Sequence, residues 1–109
     1  MRVLTASIAT LSFIATISVA HADTRGLAEA KRCFSCHATG NEASKAPAFK
    51  TIAKKYKGVA NIEADLQQKV QIGGSGHWGT STMPGADGQA RPDVSLSEAK
   101  ELVTWVLAQ

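Results

Sequence analysis

The sequence is poor in the residues that build metal cages and large cores. Its 109 residues include two cysteines, three histidines, two methionines, three phenylalanines, two tryptophans and one tyrosine. A structural zinc site needs four ligands. Beyond the first 22 residues the supply is Cys33, Cys36, His37 and the distant His77, with His37 abutting a cysteine. No strand-helix alternation surrounds the two thiols, which argues against a thioredoxin-like dithiol, and a disulfide closing so small a loop would restrain little of the unfolded chain. The cluster Gly73, Gly74, Gly76 and Gly79 lacks the Gly-Lys-Ser/Thr ending of a phosphate loop. No basic run interleaved with aromatics points to nucleic acid, and there is no internal repeat or low-complexity tract.

One long apolar run is present, Val3 to Ala20, after the short basic start Met1-Arg2 and before Ala20-His21-Ala22, a small-residue cleavage pattern. Residues 1–22 therefore read as a cleaved secretory signal. Hydroxyl residues stud the run and no basic flank follows it, so stable membrane insertion after cleavage is not expected. The absence of cysteine at the cut argues against a lipoprotein. Residues 23–109 remain as one small domain, which by size scaling buries only about 60–65% of the surface its unfolded chain exposes. With aromatics limited there to Phe34, Phe49, Tyr56, Trp78 and Trp105, a large flat apolar cofactor would supply missing core. Removing Arg2 leaves eleven basic against nine acidic residues, an excess too small to choose partners.

The most informative stretch present is Cys33-Phe34-Ser35-Cys36-His37. Two thiols three residues apart followed at once by an imidazole form the attachment signature of c-type haem. On one helical turn Cys33 and Cys36 can each add to a vinyl group of the porphyrin, while His37 is aimed at the iron from the same side. Iron that carries electrons without binding substrates needs a sixth ligand. Past the leader the single methionine is Met83, in a loop and held by Pro84, which biases it toward extended backbone. A thioether favours Fe(II) relative to a second imidazole and raises the reduction potential. His77, among glycines suited to hugging a porphyrin edge, is the rival.

The periodicity predicts four short helices and no strand. The first spans Thr24 to Arg32, with Gly26, Ala28 and Ala30 allowing close approach of another helix. The second spans Ala48 to Lys57, with Phe49, Ile52, Ala53 and Tyr56 on one face and Gly58 as the stop. Asn61 caps a third, Ile62 to Ile72, whose Ile62, Leu66 and Val70 face inward and which ends at Gly73. Ser95 and Glu98 form a capping box for the last helix, whose stripe is Leu96, Ala99, Leu102, Val103 and Val106. This helix should dock on the small-residue face of the first, with Trp105 as core.

Cys33 to His37, Ala46-Pro47-Ala48-Phe49, Gly76-His77-Trp78-Gly79, Met83-Pro84 and the ending Leu102 to Leu107 together resemble the small bacterial class I cytochromes c of the c-551/c-552 type. The resemblance covers nearly all of residues 23–109. It implies an all-α class I cytochrome c fold, about four short helices wrapped around one covalently attached haem c, with the terminal helices crossing. It also implies a periplasmic carrier of single electrons between respiratory complexes and terminal reductases or oxidases, not an enzyme. Pro47 would offer its carbonyl to His37 and make it a better donor, and Trp78 would meet a haem propionate. Two features depart from the family. Arg32 stands where glycine commonly precedes the first cysteine, and Gly85 to Asp93 is longer than in compact relatives, without the asparagine that often bonds the methionine sulfur. The chain is expected to act as a monomer, with Lys45, Lys50, Lys54, Lys55 and Lys57 available to steer acidic redox partners. The alternatives are a haem enzyme or gas sensor with an open axial position, and an electron-transfer subunit of a larger complex.

Overall fold

Four α-helices and one 3₁₀ turn form the scaffold in the computed structural model, which describes residues 21–42 and 44–109. The expected leader lies outside the described residues except for His21 and Ala22, which open the first helix. The helices are α1 (His21–Ala30), α2 (Phe49–Tyr56), α3 (Ile62–Ile72) and α4 (Leu96–Leu107), with the 3₁₀ turn at Cys33–Ser35. No strand occurs among the described residues. An isolated antiparallel bridge joins Gly74 to Met83.

Helix α1 stops two residues short of its expected end because Arg32 leaves it with φ 59° and ψ 27°, the left-handed conformation that favours glycine. The chain then turns directly into Cys33. Helix α2 carries Phe49 and Tyr56 inward, both buried, and Gly58 beyond it has φ 76°. Helix α3 has the expected bounds, but Asn61 does not cap it by the expected route. Its backbone is left-handed, at φ 60° and ψ 15°, and its side chain accepts no capping hydrogen bond. Side-chain capping needs the extended backbone of an ordinary N-cap; asparagine serves here because it tolerates the left-handed region.

Helix α4 begins with the complete capping box. Ser95 Oγ accepts from the Glu98 N–H at 3.2 Å and the Ser95 N–H donates to Glu98 Oε2 at 2.8 Å. Lys31 joins this corner to the end of α1, pairing with Glu98 at 3.0 Å and donating to the Asp93 carbonyl at 2.6 Å. The α1 and α4 helices dock as expected, with Ala28 and Ala99 both fully buried and Thr24 Oγ1 donating to Glu101 at 2.8 Å. Only Ala28 of the three small residues takes part; Gly26 and Ala30 are exposed. Leu96 also departs from its expected place, at 54% exposure.

The core is small. Ala28, Phe49, Val94, Ala99, Leu102 and Trp105 form its centre, with Phe49 edge-on to both Phe34 and Trp105 at 5.9 and 5.4 Å between centroids. Leu66 and Val70 on α3 are only half-buried. Both line a cavity, and Val70 packs against the core as well.

Candidate haem site

That cavity, of about 620 Å³, opens between the 3₁₀ turn, α2, α3, α4 and the loop after α3. Its volume lies within the roughly 300–1,000 Å³ usual for small-molecule and cofactor sites. Cys33, Cys36, His37, Pro47, His77, Trp78 and Met83 all line it, so the structure brings every sequence-predicted site residue to one place.

One helical turn aligns the first three. The His37 N–H donates to the Cys33 carbonyl at 3.0 Å and the Cys36 N–H to the same oxygen at 3.3 Å. Both thiols are half-buried and not joined to each other. Burial pushes the Cys33 thiol up, an effect partly offset by the positive charge of Arg91.

His37 is fixed from two sides. Its ring stacks on Phe49 at 5.2 Å and 18°, and Nδ1 lies 2.7 Å from the Pro47 carbonyl. The loop carrying Pro47 is tied back by the Ala46 N–H to Cys36 O at 3.0 Å and the Phe49 N–H to Ala38 O at 2.8 Å. Burial, the largest influence, lowers the His37 pKa and so favours the neutral ring. A carbonyl can only accept, so Nδ1 carries the proton and Nε2 keeps its lone pair.

Met83 reaches the cavity on a loop pinned along its length. The Gly74 and Met83 backbones exchange two hydrogen bonds of 2.9 Å each, and the Ala86 N–H donates to Gln71 O at 2.9 Å. Gly73 permits this approach. With φ 71° it sits where a Cβ would lie 2.3 Å from the Met83 carbonyl oxygen and 2.7 Å from the Gly85 nitrogen. His77 has its ring against Tyr56, at 5.9 Å between centroids, and its carbonyl accepts from Lys55 Nζ. The Lys55 ammonium also lies 4.1 Å over the Trp78 ring.

Sequence reasoning missed Arg91, which is 7% exposed. Its Nε donates to Pro84 O at 2.9 Å and one terminal nitrogen to Val70 O at 2.6 Å. An arginine inside a polar loop carries no periodic signal. The only signal in that stretch is the length of the Gly85 to Asp93 segment.

The donor chemistry fits haem. A neutral imidazole with one free lone pair, a soft thioether and two thiols share one largely apolar cavity. His77 Nδ1, on the cavity lining, and one Arg91 nitrogen behind the wall are buried without hydrogen-bond partners, where a group bearing acceptors would satisfy them.

Four helices closed around one such cavity, with Cys33 to His37 on its wall, define a small class I c-type cytochrome. The chain belongs to the cytochrome c family: the family model described as Cytochrome c matches residues 22–109. Cytochrome c-551 of Azotobacter vinelandii is 42% identical over 81 residues, 74% of this chain and 90% of the relative. Cytochrome c2 of Rhodocyclus tenuis is 41% identical over 90 residues, 80% and 92% of the two chains. The crystal structure of Nitrosomonas europaea cytochrome c552 superimposes with a TM-score of 0.66 at 33% identity, covering 77% of this chain and 96% of that one. The expected all-α fold and family are thus established, and with them a covalently attached haem c.

Proposed function

We propose that this chain is an exported monohaem electron carrier of the periplasm, its haem tethered by Cys33 and Cys36 and its iron held between His37 Nε2 and Met83 Sδ. The observation that carries the reading is the 2.7 Å contact from His37 Nδ1 to the Pro47 carbonyl. It fixes the tautomer, aligns the ring and makes Nε2 a stronger donor. Haem iron supplies the one-electron change of oxidation state. Cys33 and Cys36 would tether the group, and His37 and Met83 would hold its iron in the apolar cavity. With both donors fixed by the fold, little rearrangement would accompany transfer of an electron, and no bond would be made or broken in a substrate.

Met83 is favoured over His77 because the His77 ring is engaged with Tyr56, whereas the bridge to Gly74 holds the Met83 backbone at the cavity. Trp78 is assigned to a haem propionate. Lys55 over its ring marks that end of the cavity as electropositive. Lys45, Lys50, Lys54, Lys55 and Lys57 are all exposed and are assigned to steering acidic redox partners. Residues 1–22 serve as the export signal, and no helix among the described residues is long and apolar enough to cross a membrane.

Optical spectra test the ligation. The oxidised protein should show the weak far-red sulfur-to-iron charge-transfer band, and the reduced protein should not bind carbon monoxide. Met83→Ala should abolish the band, lower the reduction potential and admit carbon monoxide. An unchanged spectrum in that variant would move the assignment to His77. A high-spin wild-type spectrum with rapid gas binding would replace the carrier by a haem enzyme or sensor.

A further inference from the structure

Arg91 is a buried cation with no carboxylate within ion-pair distance among the described residues. Burying a charge is costly unless it is paired or fully hydrogen-bonded, yet this guanidinium is 7% exposed and bonds only to two neutral carbonyls, leaving one nitrogen unpartnered. The two carbonyls belong to different parts of the site. Pro84 directly follows Met83, and Val70 lies on the last turns of α3, so one planar group spans the loop and the helix. The arginine folds back to reach them from within the long segment after Met83, where the Gly88 N–H bonds to the Arg91 carbonyl at 2.9 Å. Its charge also acts on Cys33 across the cavity wall, and the exposed Asp87 carboxylate of the same segment acts on it in turn.

We propose that Arg91 is the positioning residue for Met83, clamping the methionine loop to α3 through the Pro84 and Val70 carbonyls and placing a buried positive charge beside the haem cavity. The inference rests on Met83 being an iron ligand. It explains how the loop is held without an asparagine on the sulfur. It also gives the long segment a purpose, since a shorter connection would carry no side chain back to Pro84. A nearby fixed positive charge favours the state of the iron that has gained an electron.

The test uses the oxidised holoprotein, with imidazole as a competitor for the methionine position. Arg91→Met keeps the bulk of the side chain and removes both hydrogen bonds and the charge. It should bind imidazole at least about tenfold more tightly than wild type, the loss expected when charge-assisted hydrogen bonds are removed from one state of an equilibrium. It should also have a lower reduction potential. Arg91→Lys keeps the charge but not the fork that spans two carbonyls; it should bind imidazole more tightly than wild type while holding the potential closer to it. A merely structural arginine would lower thermal stability in both variants and leave imidazole affinity and potential unchanged, which would overturn the proposal. Should the variants not fold, nitrogen-detected NMR of wild type decides: the Arg91 Nε proton should exchange with water far more slowly than in free arginine. Exchange at the free rate would refute the clamp. Failure of the methionine ligation itself would show separately, as an unaltered spectrum in Met83→Ala.

Discussion

Gly73 is the residue on which the methionine loop turns. It leaves α3 with φ 71° and ψ −157°, a conformation essentially confined to glycine, and its missing side chain is the space through which Met83, Pro84 and Gly85 pass. Gly73→Ala should destabilise the protein by about 1–3 kcal/mol, the usual cost of forcing atoms into a packed place. It should also weaken the far-red band, because the loop must move away from α3; denaturant titration followed at that band measures both effects. Site residues defined by chemistry, Cys33, Cys36, His37 and Met83, were legible in the sequence because their types and spacing carry the signal. Arg91 was not, since nothing in a polar loop distinguishes an arginine that folds inward from one that faces water. Arg32 was visible as a departure, and its left-handed φ of 59° shows why glycine suits that position.

The helices were legible where periodicity and stops coincide. In α2 the residues Phe49, Ile52 and Tyr56 repeat on one face and Gly58 ends the element; in α3 the glycine after Ile72 does the same. Misreadings arose where an element meets its surroundings. Asn61 took a backbone conformation that its type tolerates but that side-chain capping does not use, and Leu96 lies on the stripe of α4 yet is exposed. The capping box of α4 is both legible and present, so it offers a clean test. Ser95→Ala should cost about 1 kcal/mol, read from the denaturation midpoint. Glu98 is held below the usual carboxylate range first by the Ser95 backbone N–H and then by Lys31. A depressed carboxylate stabilises the fold above its unfolded pKa and loses that effect as pH falls through the folded value. Glu98→Gln should therefore be less stable than wild type at pH 7, and the difference should vanish as the solution is acidified below the carboxylate range.

At the scale of the whole molecule, the protein packs its helices around a hole. Among the described residues no large side chain is less than 2% exposed, and the inward faces of α3 and α4 meet across the cavity through Leu66, Val70, Leu102 and Val106. A domain this small with so thin a core has little margin without its cofactor. Replacing both attachment residues, Cys33→Ala with Cys36→Ala, should give a polypeptide that, free of haem, loses most of its far-ultraviolet helical signal and unfolds without a cooperative transition; a cooperative, fully helical haem-free form would show that the protein core suffices alone. The central claim is that haem is bonded through both sulfurs of Cys33-Phe34-Ser35-Cys36-His37. Mass spectrometry of the proteolytic peptide containing that stretch, taken from protein matured in an export-competent host, tests it most directly. The account predicts one peptide carrying the mass of a single haem with neither thiol open to alkylation, and a bare peptide with both thiols reactive would contradict it.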